Sequence, residues 1–190
     1  MDYLIAGLGN HGKRYQNTRH NAGFAALDHC ANQWRGQFTA SSNANVLVAD
    51  AMISGRKSKL IKPQTFMNKS GLAVRKVADY FDVPPNNILI VHDDIALPLG
   101  ELRISKGSSA GGHNGVQSVI DAFGTQKFTR LRIGIDDRND RSEVDTRSYV
   151  LGQFTTDQKT VLENNLSAVR EGVEKWADAG PEQAMNMLNE

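Results

Sequence analysis

An imidazole at His20, a carboxylate at Asp93 and side-chain amides at Asn10, Asn68 and Asn114 are the groups in this sequence that could act together on an acyl bond. The unperturbed pKa of histidine, about 6.5, lies near working pH, which makes His20 the candidate general base. Asp93 could accept the ring N–H, fix the tautomer and stabilise the imidazolium. An Asn amide donates N–H to a developing oxyanion and accepts through its C=O, so several suit neutral recognition of an acyl group rather than charge neutralisation. No side-chain nucleophile stands out. There is no G-x-S-x-G segment, and Ser70, Ser108 and Ser109 lie in ordinary turn or helix-start contexts. Direct attack by water is the chemistry this set favours. Each group also has a plain structural reading: Asn68 and Asn114 precede helical repeats and could be caps worth about 1 kcal/mol each, Asp93 could pair structurally, and His20 could be a loop histidine.

Two rival chemistries can be weighed on spacing. Gly7-Leu8-Gly9-Asn10-His11-Gly12 fits G-x-G-x-x-G, which binds dinucleotides only where a strand precedes it, a helix opens on its last glycine and an acidic residue ends a second strand roughly 20 residues on. Tyr3 to Ala6 supplies the first strand. Lys13 to Asn21 is polar with no helical repeat, and the acidic candidate Asp28 falls inside a helix, so the other conditions fail. His92, Asp93, Asp94 and His113 are metal-ligand types, but alternation along a strand sends His92 and Asp94 to one face and Asp93 to the other. Neither a cofactor nor a metal is expected.

The elements that must position these groups read as α/β. Tyr3 to Ala6, Val46 to Val48, Lys59 to Ile61, residues 87–94 ending in acid and residues 130–135 have strand character. Residues 21–34, 70–81 and 115–124 repeat at helical spacing, and a long acidic helix from residue 156 is stopped at Gly180-Pro181. These alternate into a single domain over residues 1–190, a twisted mixed β-sheet flanked by helices. Asn10, Asn68, Asp93 and the pair His113-Asn114 then fall where strands end or helices begin, the usual place for a site in an open α/β sheet. The segment KGSSAGGHNG (106–115) fits a mobile loop that opens a helix.

Composition bounds the rest. With 39% hydrophobic residues, 23% charged residues and 5 Pro, the chain is an ordinary globular protein with length enough for a core. Cys30 is the single cysteine, sits on an apolar helix face and is expected to pack. The start, MDYLIAG, has no basic n-region and too short an apolar run for a signal peptide or a membrane span, so a reducing cytoplasm is expected. Net charge is +1, but residues 157–190 carry 3 basic and 7 acidic side chains, leaving 19 basic and 14 acidic upstream. That upstream excess reads first as a solvated surface and is also compatible with a polyanionic substrate.

Six ordered segments together resemble the bacterial peptidyl-tRNA hydrolase family: GLGN-x-G-x-x-Y-x-x-TRHNAGF (7–24), KPQTFMNKSGLAV (62–74), VHDDIALPLGELR (91–103), SAGGHNGVQSVI (109–120), FTRLRIGI (128–135) and YVLGQF (149–154). The resemblance spans nearly the whole chain. It implies a metal-free monomer that hydrolyses the ester joining a peptide to the 3′ end of tRNA. It casts His20 as base, Asp93 as its partner and Asn10 as the group sensing a blocked α-amine. Tyr15, Phe66, Asn68 and Asn114 become contacts to the substrate end, and Arg103, Arg130 and Arg132 stand where the family places basic side chains facing tRNA. A binding module on the same fold would need neither base nor orienter, so the joint presence of these residues favours the enzyme.

Three departures from the family pattern stand out. His11 replaces a usual proline, Ser108 stands where glycine is common, and residues 136–148 replace a short Gly/Pro-containing turn. His11 is expected to loosen the loop that aims Asn10. The 136–148 segment mixes Asp136, Asp137, Asp140, Glu143 and Asp145 with Arg138, Arg141 and Arg147.

Overall fold

Alternation of side chains across the strands builds one sheet with two covered faces. The computed structural model describes residues 1–41, 43–138 and 145–189. In chain order its first half comprises strand β1 (Tyr3–Gly7), helix α1 (Ala22–Gln33), strands β2 (Thr39–Ser41), β3 (Val46–Ile53) and β4 (Arg56–Pro63), and helix α2 (Ser70–Tyr80). Strands β5 (Ile88–Pro98) and β6 (Leu102–Lys106), helix α3 (Asn114–Phe123), strand β7 (Thr129–Asp136) and helices α4 (Thr146–Leu151), α5 (Thr156–Ala179) and α6 (Pro181–Leu188) follow. The strand order is β2-β3-β4-β1-β5-β7-β6. The centre, β4-β1-β5-β7, is parallel, and the flanking pairs are antiparallel.

Ile5, Leu89, Val91 and Ile133 pack with Leu27, Val169, Val173 and Trp176 under α1 and α5. Leu4, Ala6, Ile88 and Ile90 pack with Val74, Val77, Val116 and Val119 under α2 and α3. Each buried Leu, Ile or Val contributes about 1.5–3 kcal/mol, which is why strands covered on both faces read as apolar runs. Cys30 lies in the α1 core, where burial pushes its thiol up to about 12, as fits a packing residue. Among the described residues no helix is long and apolar enough to cross a membrane.

The edges depart from the sequence reading. Strands read as Val46 to Val48 and Lys59 to Ile61 extend to β3 and β4, joined at Ser54-Gly55, whose φ values of 48° and 75° suit a two-residue hairpin. Charged residues on their outer positions had masked the alternation. The same holds for β6, where Leu102 and Ile104 are buried while Arg103 is exposed. Strand β5 does not end in its acid but runs on to Pro98 beside β7. Gly180-Pro181 ends α5 and also starts α6, with Pro181 in the first turn. Asn189, just beyond α6, bonds the N–H and C=O of Ile104 at 2.8 and 2.9 Å, pairing backbone groups on the β6 edge.

The connections diverge at β1, with β4 on one side and β5 on the other, the switch point where open α/β sheets bind ligands. Helix α1 is drawn against this point by two glycines. A Cβ on Gly23 would meet the Val91 carbonyl oxygen at 2.4 Å, and one on Gly7 the Gly23 carbonyl oxygen at 2.4 Å. Neither residue has positive φ, so contact with the helix rather than a tight turn demands glycine there; only Gly12 of this loop needs the freedom, at φ 101°.

Candidate active site

His20 enters the site because it lies in a short 3-10 turn, Arg19–Asn21, that runs directly into α1. The close seat of α1 on β5 brings its Nδ1 to 2.9 and 3.0 Å from the two oxygens of Asp93, which is 1% exposed. Asp93 lies just past Val91, where β1 stops pairing with β5 and leaves the next β5 residues facing the crevice. His113 Nε2 comes to 2.9 Å from Asp93 Oδ1. His113 is the N-cap of α3, and its Nδ1 accepts the N–H groups of Gly115 and Val116 at 3.1 and 3.2 Å.

This arrangement settles the protons. With Nδ1 of His113 accepting, Nε2 carries the hydrogen and donates to Asp93. A neutral His20 donating through Nδ1 leaves its Nε2 lone pair for the cavity. Burial resists the carboxylate of Asp93, yet the charge and hydrogen bonds of His20 and His113 overcome it and hold the acid far below its ordinary range. Burial likewise opposes the His20 imidazolium, but the Asp93 charge and hydrogen bond raise its pKa above 6.5. The atoms of His20, Asp93 and His113 lie close enough together to suggest a metal cluster. The donor set does not suit one, because the proton on His113 Nε2 makes it a donor rather than a ligand. His92 packs edge-on against His113, ring centroids 4.7 Å apart, but bonds elsewhere: its Nδ1 donates to the Asp93 backbone carbonyl at 2.6 Å, and burial drives its pKa well down.

Asn10 is fixed from three directions. The side chain of Asn21 accepts the Asn10 N–H at 2.9 Å and donates to its C=O at 3.0 Å. Asn10 Oδ1 accepts the Met67 N–H at 2.9 Å. That bond sets the amide orientation and turns the NH2, which has no protein partner among the described residues, toward the cavity. The loop is thus held despite His11, whose exposed ring tilts against Phe66 with centroids 5.1 Å apart. Asn68 and Asn114 are not caps: Lys69 and His113 hold the cap positions of α2 and α3.

Asn10, Tyr15, His20, Phe66, Asn68, Asp93 and Asn114 line one cavity of about 880 Å³. His113, Lys69, Thr146 and Arg147 line it as well. Arg103, Arg130 and Arg132 do not. Arg103 is exposed and pairs with Glu101 at 2.6 Å. Arg132 pairs with Asp94 at 2.6 Å. Arg130 departs most from a surface role: it is 4% exposed and donates to the Ser109 carbonyl at 2.8 Å, supporting the Gly-rich loop from below. Sequence reasoning missed His113 as the second donor to Asp93 and Asn21 as the clamp on Asn10. Both had a visible signal, a second imidazole beside Asn114 and a second amide beside His20. Of the 136–148 segment, Asp140, Arg141 and Glu143 lie outside the described residues.

A buried carboxylate bonded to an imidazole beside a cavity at the switch point of an α/β sheet is the arrangement that a hydrolase using a general base would need. A profile of the peptidyl-tRNA hydrolase family matches residues 4–190. A peptidyl-tRNA hydrolase of Desulfitobacterium hafniense is 44% identical over 98% of both chains. One of Gloeobacter violaceus is 44% identical over 98% of this chain and 93% of its own. The crystal structure of peptidyl-tRNA hydrolase from Acinetobacter baumannii superposes with a TM-score of 0.90 at 30% identity, covering 98% of this chain and 94% of that one. The chain belongs to the peptidyl-tRNA hydrolase family.

Proposed function

We propose that the chain hydrolyses the ester between a peptide and the 3′ end of tRNA with a water activated by His20, working as a single-domain monomer in the cytoplasm without a metal. Family membership carries the reaction, the release of tRNA from peptidyl-tRNA. The mechanism rests on one observation: Asp93 receives hydrogen bonds from both His20 Nδ1 and His113 Nε2. A carboxylate with two donors stays ionised and accepts only, so it keeps the His20 lone pair at Nε2, facing the cavity.

A water at Nε2 gives its proton to His20 as its oxygen attacks the ester carbonyl. Asp93 stabilises the imidazolium without taking the proton. The amides of Asn68 and Asn114 and the NH2 of Asn10, none with a partner among the described residues, are donors that can serve the oxyanion and the peptide backbone. As the tetrahedral intermediate collapses, the C–O bond to the ribose breaks and His20 returns its proton to the departing ribose oxygen. The peptide leaves as a carboxylate and the tRNA with a free hydroxyl.

Release of the acyl group from N-acetylaminoacyl-tRNA, followed with and without EDTA, tests the reading. Equal release in both is expected. Tight tRNA binding with no release would make the chain a binding module, and loss of release restored by a divalent ion would make it a metallohydrolase.

A further inference from the structure

Arg147 and Lys69 are the cations on the cavity wall, and neither forms an ion pair among the described residues. The nearest acid in sequence, Asp145, uses its side chain to accept the N–H groups of Arg147 and Ser148 at 3.0 and 3.1 Å, capping α4. Asp94, also on the wall, is occupied by Arg132. Arg147 is exposed, so its guanidinium is kept in water and costs little to present to a ligand.

Its helix is fastened to the catalytic histidine. The Arg19 N–H donates to the Gly152 carbonyl at 3.0 Å, and the Phe154 N–H donates to the Asn17 carbonyl at 3.0 Å, so the end of α4 pairs with the residues just before His20. The buried Arg19 side chain donates to the Tyr149 carbonyl at 3.2 Å and to Gln158 Oε1 at 2.8 Å. It also stacks 4.3 Å over the Tyr149 ring. Arg147 and His20 are thereby mounted on one braced unit, and both line the cavity together with Asn68 and Asn114.

We infer that Arg147 is a specificity-determining residue that grips a backbone phosphate of the substrate's terminal nucleotides and so holds the tRNA end at the cavity. The inference rests on the proposed hydrolysis of peptidyl-tRNA. The ester itself is neutral, and the formal charges nearest to it on tRNA are phosphodiesters, which a guanidinium fork matches in bidentate fashion. Of the arginines in this region, Arg103 and Arg132 already hold carboxylates and Arg130 is buried, leaving Arg147 for that task.

The test compares Arg147→Gln with wild type on N-acetylaminoacyl-tRNA and on the same acyl ester of adenosine, which has no phosphate. On tRNA the variant should raise KM about tenfold with kcat little changed, the loss of one charge-assisted contact. The plot of log kcat/KM against log salt should flatten by about 0.7. On the adenosine ester the variant should match wild type. Arg147→Lys, keeping the charge but not the fork, should recover part of the KM. Equal losses on both esters would make Arg147 a structural part of the wall, and an unchanged KM and salt slope on tRNA would place it off the RNA path; either overturns the inference. Failure of wild type to cleave the tRNA ester would instead overturn the hydrolase reading.

Discussion

His20→Ala should lower kcat roughly 10²–10⁴-fold, the worth of a positioned general base, while affinity for tRNA changes little. The fold should survive because His113 still donates to Asp93, so the buried carboxylate is not left without a partner. Single-turnover release of N-acetylaminoacyl groups measures the loss, and binding of uncharged tRNA measures what is retained. A variant with near-full turnover would show that His20 is not the base. A variant that lost binding in proportion would assign His20 to substrate recognition.

The second large effect is discrimination. Wild type should cleave N-acylated aminoacyl-tRNA and spare aminoacyl-tRNA with a free α-amine by a factor of about 10⁴, the scale reached when a site's polar groups lose their partner on the wrong substrate. The orientation of Asn10 gives the reason. Its Oδ1 is engaged by the Met67 N–H, so it is the NH2 that is left to meet a substrate. A blocked residue offers that NH2 an acyl carbonyl. A free one offers none, and its amine, largely protonated, would bring an ammonium against an N–H donor while leaving water. The resemblance casts Asn10 as the group that senses a blocked α-amine; the structure engages its carbonyl with Met67, so that sensing would fall to its NH2. Asn10→Asp keeps an acceptor for Met67 and replaces the NH2 with a negatively charged oxygen. The ratio between blocked and free substrates should then narrow tenfold or more, by about the 1.4 kcal/mol of one such contact. Both substrates use the same base, so any effect of the new charge on His20 cancels in the ratio. A ratio that did not move would remove Asn10 from substrate selection.

Much of the site could be read in the sequence because strand ends and helix starts leave a local signature. Asn10 follows an apolar strand, and Asp93 lies on one whose apolar run is long enough to be central. Asn68 and Asn114 stand where apolar helical repeats begin, although their reading as caps was open until the structure gave those positions to Lys69 and His113. What stayed hidden depends on contacts between distant segments. The His113 tautomer is set by its own helix, but its partner lies 20 residues away. The clamp of Asn21 on Asn10 and the brace of Arg19 against Tyr149 and Gln158 exist only once β1, α1, α4 and α5 are assembled. Strand β6 and the full lengths of β3 and β4 were hidden for another reason. Exposed faces there carry Arg, Lys and Asp, and half the apolar alternation is lost. Arg130 shows the converse: the resemblance set it facing tRNA, whereas its strand position buries it under the Gly-rich loop.

The account stands on the link between Asp93 and His20, and the pH dependence of kcat/KM in wild type and Asp93→Asn measures that link directly. The base works when neutral, so activity falls as pH drops through the His20 pKa. Burial lowers that pKa, while the Asp93 charge and hydrogen bond raise it by more. The acidic limb of wild type should therefore lie above 6.5, the ordinary histidine value. In Asp93→Asn only burial remains, and the limb should move to lower pH. The plateau should also fall by roughly 10²–10⁴-fold, because both carboxylate oxygens lie within 3.0 Å of His20 Nδ1, so either orientation of the amide sets an NH2 against that nitrogen and favours the tautomer with its lone pair at Nδ1 rather than Nε2. An acidic limb at the same pH in both enzymes would contradict the assignment of Asp93 as the group that tunes and orients the base.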